Sequence, residues 1–399
     1  MYYLAKVYID TIMKILLSQK IAMLSGSEWH ILHLAEGLMS AGHTVHFLAL
    51  VDHRSVEPAD ELIDMFVSRK VQVHRLLVRS DYSLALYRSI DEILKREQYD
   101  IIHSHLIRTD FILSMVKWRY GCSAPLISSQ HTFGESYQMK YGFKYVPQPF
   151  SKYVWVSRLT QRFIDGNISM SKAIKDMYVQ HKIYSEDKVE VIYHGFDFSH
   201  VVYDPDTSKY RKAPKQLLIV GRLIGVKGHA YVIDILPELI EKYEDEIALV
   251  IVGSGVDEQH LKSLARSKGV DQQVYFEGFS TRVHDYIANS DIVLIPSFAE
   301  GFCVVLMEAY YSKAALVTFD VPALNENIFH NKTGMLAPAF DTQVFKQNII
   351  DILDDPQLAQ RLIENGREYL DNYLSIERMS NETIAYYEKI LSQKQATKK

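Results

Sequence analysis

The chain is poor in cysteine, in long apolar runs and in excess charge of either sign, and each shortage excludes a class of protein. Only Cys122 and Cys303 occur in 399 residues. Two widely separated cysteines build neither a disulfide framework nor a CxxC metal knot, and such usage fits a reducing compartment. No apolar run approaches the roughly 18 residues of a membrane-spanning helix. The opening MYYLAKVYIDTIMK breaks its short apolar stretches with Lys6, Asp10 and Lys14, unlike a signal peptide. The expected location is therefore cytoplasmic. Met13 is expected to be the natural start, because the strand-like KILLS follows it; a genuine N-terminal extension is the competing reading. The formal net charge is −5, without the basic excess of a dedicated polyanion binder, so no nucleic-acid partner is expected. There is no solenoid repeat, and no low-complexity tract beyond the basic terminus KQATKK.

The content is 48% hydrophobic and 23% charged, which excludes disorder of the whole chain. About 150 residues per domain gives two or three domains. A core of that size buries about three-quarters of the unfolded surface without staples. Residues 1–204 carry 23 basic against 22 acidic side chains, and residues 205–399 carry 21 against 27. The halves therefore differ, +1 against −6.

Short apolar runs alternate with helix-period segments, the pattern of α/β architecture with parallel sheets covered on both faces. Strands are expected at residues 14–18, 44–50, 71–76, 100–103, 125–129 and 188–192, and again at 216–220, 247–252, 274–276, 291–295 and 314–318. Residues 28–41 form the clearest helix: Ile31, Leu34, Ala35, Leu38 and Met39 share one stripe, and Gly42 supplies the stop. The polar, Pro-containing stretch YDPDTSKYRKAPK at residues 203–215 reads as a linker. Two doubly wound domains follow, expected at 13–200 and 201–375. The helical segment 376–399 is expected to cross back to the first domain.

Open parallel sheets bind ligands beyond the carboxyl ends of their strands. After the strand at 216–220 comes GRLIGVKGH, with Gly221, Arg222, Gly225, Lys227 and Gly228 ahead of a helix. Glycines admit close backbone approach, a helix start offers free N–H groups and Arg clamps oxygens in pairs, which together suit a diphosphate. A solvated basic turn is the alternative, and the spacing is not that of a Walker A loop. Gly253 and Gly255 in GSGVDE form a lone GxG, more in keeping with a tight strand-to-helix turn than with a dinucleotide fingerprint, although Gly253 is still expected among the donor-binding residues. The segment PSFAEGFCVVLMEAYY places Glu300 in a loop and Glu308 slightly more than two turns along the following helix, so both carboxylates can line one side of a cleft and accept from sugar hydroxyls.

These motifs carry a specific resemblance. GRLIGVKG, LVIVGSG, YFEGF, DIVLIPSFAEGF with the Glu300/Glu308 pair, and NENIFHNKTGMLAP are similar in order and spacing to the donor-binding domain of the retaining family 4 glycosyltransferases (glycosyl transferases group 1), which have the GT-B fold. SGSEWHILHLAEGLMSAGHTV, DIIHSH, LISSQHTF and VIYHGFD resemble the first domain of the same family. The resemblance implies two Rossmann-like domains facing a cleft. It implies that Arg222 and Lys227 hold the donor diphosphate, that Glu308 binds the ribose and that Glu300 contacts the transferred sugar. It further implies that Gly26 lets the first loop approach the phosphates, that His131 sits near the sugar, and that the backbone of Val304 and Val305 donates at a helix start. The implied activity is transfer from a nucleotide diphosphate sugar to a hydroxyl acceptor, with retention. The acceptor would be a glycan, a polysaccharide or lipopolysaccharide precursor of the cell envelope, or a glycolipid. Cys303 in place of a small Gly, Ser25 in place of a loop Gly, and YYSKAALV without the usual Gly and Pro depart from the pattern and bear on the pocket's shape. A nucleotide-sugar epimerase, a phosphorylase or a non-catalytic binding protein of the same fold stay open as alternatives.

No metal and no cofactor are expected. His103, His105 and His131 invite a zinc reading, but no carboxylate or Cys completes the set. His103 reads as a packed strand end, His105 and His131 as divided between core and cleft, and His30 and His33 as surface or boundary residues. Asp204 and Asp206 spell DxD, yet they lie in the linker. Residues 139–158, MKYGFKYVPQPFSKYVWVSR, interleave cations with aromatics, and weak attachment to the inner face of a membrane is expected there.

Overall fold

The structure, a computed structural model, describes residues 12–396 apart from 22–25, 135–136, 138, 141, 143, 148–150, 200, 205 and 245. Ser25 and part of the aromatic–basic stretch thus lie outside the described residues. Two parallel sheets organise the chain. The first contains β1 (Lys14–Ile21), β2 (Thr44–Asp52), β3 (Gln72–Val78), β4 (Ile101–His105), β5 (Leu126–Gln130), β6 (Gly166–Ser169) and β7 (Val189–Val191), in the order β3-β2-β1-β4-β5-β6-β7. The second contains β8 (Lys215–Val220), β9 (Ile247–Val252), β10 (Val274–Gly278), β11 (Ile292–Ile295), β12 (Ala315–Asp320) and β13 (Met335–Pro338), in the order β10-β9-β8-β11-β12-β13. Each sheet reverses its winding once, between β1 and β4 in the first and between β8 and β11 in the second. Those two points are where an open sheet leaves a crevice for ligand.

Central strands such as ALVIV in β9 are apolar and buried throughout, as a strand covered on both faces must be. Two strands escape the hydropathy pattern. Gly166–Ser169 reads GNIS, too polar and short to signal a strand, yet all four residues are buried. Its cover is remote: a Cβ on Gly166 would lie 2.5 Å from the Tyr386 hydroxyl and 2.8 Å from Ile390. Met335–Pro338 is a four-residue edge strand ending in proline, a position where the missing N–H costs no ladder bond.

Helix ends follow local chemistry. Ser83 accepts from the Leu86 N–H, Asp341 from those of Gln343 and Val344, and Asp355 caps the helix that begins with Pro356. Gly42, at φ +92°, turns the chain after the helix Gly26–Ser40. The stretch read as a linker is anchored at Tyr210, which is buried against the second sheet's core and whose hydroxyl donates to Asp204 at 3.0 Å. Asp206 accepts from the Ser208 hydroxyl at 2.6 Å, so the DxD carboxylates stabilise a local turn.

The chain crosses between the sheets twice, and the crossings touch. The Phe196 N–H donates to the Leu374 carbonyl at 2.9 Å, and a Cβ on Gly195 would lie 2.2 Å from the Ser375 carbonyl oxygen. Beyond the second crossing, the helix Ile376–Ala396 lies on the first sheet's side, where Met379, Ile384, Tyr386, Tyr387 and Ile390 join its core.

Candidate active site

Both crevices open toward one another, and the residues around them differ in kind. On the second sheet, the loop after β8 carries Arg222 and Lys227 and the loop after β11 carries Glu300. Lys227 Nζ lies 2.7 and 2.9 Å from the two Glu300 carboxylate oxygens. Burial alone would lower the Lys227 ammonium, but the facing carboxylate outweighs it and the pKa is raised. Glu300 is 8% exposed and Arg222 is exposed at the rim. The loops hold these places because glycines let backbones touch. Gly228, at φ +70°, sits where a Cβ would be 2.0 Å from the Pro296 carbonyl oxygen. Gly253 sits behind the Arg222 loop, its Cβ position 1.9 Å from the Gly221 carbonyl oxygen. That placement makes Gly253 a support for the loop.

Val304 and Val305 open the helix Val304–Tyr311, whose N-cap Cys303 supplies no side-chain cap, so the first N–H groups face the crevice uncapped by this chain. The Cys303 thiol is buried and pushed up to about 12 by that burial, reinforced by the Glu300 charge, so it stays protonated and is no nucleophile. Glu308 is pushed up to about 7 by burial. Among the described residues no side-chain hydrogen bond or ion pair engages its carboxylate.

On the first sheet the corresponding wall is imidazole. His131 follows β5, His105 ends β4, His30 lies on the first helix and His194 on the first crossing. His105 Nδ1 and His131 Nε2 are 3.1 Å apart, and the His30 ring centroid lies 4.8 Å from that of His131 and 4.6 Å from that of His194. Burial lowers all of them: His131 to about 4, and His30, His105 and His194 well below the ordinary value. His103 is held between Tyr387 and Ser129, at 2.6 and 2.7 Å. His30 and His33 are buried, contrary to the surface placement expected of them. Neutral imidazoles pack between this helix and the crossing: His33 Nδ1 is 3.3 Å from His194 Nε2. Beneath the wall, Asp110 is pushed up to about 7 by burial although Ser104, Ser128 and Gln130 all donate to it.

The two walls meet at glycines. A Cβ on Gly301 would lie 2.1 Å from the His131 carbonyl oxygen, and one on Gly26 would lie 3.2 Å from Val304. The helix starts at Gly26 and Val304 therefore converge across the crevice. Glu326, from the second sheet's side, accepts from the Lys172 and Ala173 N–H groups at 2.7 and 2.9 Å, capping a first-side helix. Sequence reading missed Glu326, since nothing in NENIF signals a partner 154 residues earlier.

Comparison with known proteins gives this two-sheet architecture a family. The profile of Glycosyl transferases group 1 matches residues 204–369, and that of Glycosyltransferase Family 4 matches residues 24–200. The chain belongs to the group 1 glycosyltransferases. An uncharacterized glycosyltransferase of Methanocaldococcus jannaschii is 24% identical over 92% of this chain and 94% of its own length. Phosphatidyl-myo-inositol mannosyltransferase of Mycolicibacterium smegmatis is 25% identical over 87% of this chain and 86% of its own. The solved structure of Anabaena HepE in complex with UDP-glucose superposes with a TM-score of 0.76 at 19% identity, covering 96% of this chain and all of the other. The glycosyltransferase thus has the GT-B fold. Among its described residues no helix is long and apolar enough to cross a membrane.

Proposed function

We propose that this glycosyltransferase moves a sugar from a nucleoside diphosphate sugar to a hydroxyl of a glycan or lipid-linked acceptor, with retention at the anomeric carbon. The observation that carries this reading is the Lys227–Glu300 pair at the second switch point, beside Arg222 and the uncapped start of Val304–Tyr311. Lys227 and Arg222 hold the diphosphate and offset the charge that grows as the nucleotide leaves. Glu300 contacts sugar hydroxyls and orients Lys227. Glu308 accepts from the ribose, and His131 lines the sugar's other side as a neutral hydrogen-bonding group. Gly26 lets the first helix start approach the phosphates.

The bond from the anomeric carbon to the diphosphate oxygen breaks, and a bond to the acceptor oxygen forms on the same face. The acceptor proton passes to the departing phosphate, so no protein nucleophile and no second carboxylate is required. Transfer needs no metal and no cofactor, because cationic side chains and helix ends meet the phosphate charge. Residues 13–200 form the acceptor side and residues 201–375 the donor side, with 376–399 crossing back. Exposed Met139, Tyr145 and Trp155, in the same stretch of chain as exposed Lys140 and Lys152, support weak attachment at the inner face of a membrane. The mannosyltransferase relative, named for a phosphatidylinositol acceptor, supports a lipid-linked one here.

The test is a thermal-shift screen against nucleotides and nucleotide sugars, followed by turnover with the stabilising donor and NMR of the product's anomeric carbon. Release of nucleotide only when acceptor is present, insensitive to EDTA and giving the donor's anomeric configuration, is expected. Nucleotide binding without turnover would replace the reading with that of a binding protein, and an inverted product would remove retention.

A further inference from the structure

The imidazole wall holds an arrangement of which the proposed sugar transfer uses only His131. One ring nitrogen from each of His30, His105 and His131 lies within 4.8 Å of the other two. They come from three elements: the first helix, the end of β4 and the turn after β5. His30 Nδ1 is fully buried and has no hydrogen-bond partner. A buried ring nitrogen without a partner loses its hydration for nothing, unless something else fills its lone pair. The 3.1 Å between His105 Nδ1 and His131 Nε2 is close to the roughly 3.3 Å that separates two imidazole nitrogens bound to one tetrahedral ion.

We propose that His30, His105 and His131 bind a transition-metal dication of the zinc class, and that the bound ion inhibits transfer. The chemistry of the set selects the ion. Three neutral imidazoles with no carboxylate suit zinc, nickel or copper and offer nothing to magnesium or calcium, which require oxygen ligands. His131 is only partly covered while His30 and His105 are buried, so the ion enters from the cleft side. Coordination draws His131 away from the sugar and places two positive charges where the donor's sugar must sit. Inhibition rests on the transferase reading above; binding of the ion does not.

Cobalt(II) reports both separately. Titrated into metal-free protein, it is expected to give the intense visible bands of a four-coordinate ion at one equivalent, displaced by zinc. His30→Ala and His105→Ala are each expected to weaken binding more than tenfold, while exposed His260→Ala leaves it unchanged. X-ray absorption of zinc bound to the wild type is expected to show three imidazole ligands, a readout independent of whether the variants fold. Zinc should inhibit wild-type turnover reversibly with EDTA, and the His30→Ala enzyme should resist it. Weak octahedral bands only, equal affinity in all three variants, or fewer than three imidazoles at zinc would overturn the site. Cobalt binding as expected in a protein that turns over no donor would leave the site standing and remove the transferase reading. Turnover unaffected by saturating zinc would remove the inhibition.

Discussion

The two walls of the cleft are built on the same topology and opposite chemistry. Each sheet reverses its winding once and presents a helix start at the crevice. The second sheet's wall is ionic, with Arg222, Lys227 and Glu300; the first is a cluster of neutral imidazoles. The difference shows that whole-domain charge says little about ligand charge. The more acidic half of the chain carries the cations that face the cleft, because three side chains placed by glycine turns decide the local field.

Replacing the cations is expected to have the largest effect, because it removes the charge that distinguishes the second wall. Lys227→Ala and Arg222→Ala are each expected to lower turnover by about 10²–10³-fold with a native circular dichroism spectrum. Nucleotide-induced thermal stabilisation should shrink in parallel, and a full response in both variants would refute the assignment of the charged wall. Next comes the contact between walls. Gly301→Ala puts a methyl against the His131 carbonyl oxygen and must part the walls; displacement on the order of 1 Å can cost about 10²-fold in rate. Normal kcat with this substitution would show that the walls close without that contact.

A subtler sharpening uses pH. Burial holds His131 at about 4 and the other wall histidines well below their ordinary value, so between pH 6 and 8 they stay neutral, whereas burial pushes Glu308 up to about 7. Asp110 also titrates near 7, but it lies beneath the strands in a closed set of donors. In the ribose-binding role proposed for Glu308, the ionised carboxylate would accept from two hydroxyls and the protonated one from fewer, so the donor KM should fall several-fold as pH rises from 6 to 8. Glu308→Gln should flatten that profile; an unchanged slope would point to another group. The smallest effect is expected at the rim. Glu326→Ala removes a helix cap supplied across the cleft and should cost about 1 kcal/mol in chemical denaturation, with little change in donor affinity.

Much of this was legible in the sequence because it is local. Alternating apolar runs reveal eleven of the thirteen strands among the described residues, and the motifs after them name the charged residues. What stayed hidden depends on partners far along the chain. Lys227 and Glu300 are each visible, but their pairing spans 73 residues and no periodicity encodes it. GNIS becomes a strand only because Tyr386 and Ile390 cover it. His30 and His33 look like polar marks on an amphipathic helix, and only the crossing at His194 turns them into core. Burial of a neutral imidazole leaves no hydropathy signature, so the histidine wall appears only when the strands are assembled.

The return of the last helix also sets an order of events in time. The first sheet is synthesised by Val191, yet Tyr386, Tyr387 and Ile390, which complete its core, lie near the other end of the chain. At roughly 5–20 residues per second, the ribosome needs about 10–40 s to deliver them. Through that interval the strand Gly166–Ser169 lacks its cover while the second body is made and folds. The half of the molecule that emerges first is therefore the one that finishes last, and it is the half that a chaperone would have most reason to hold.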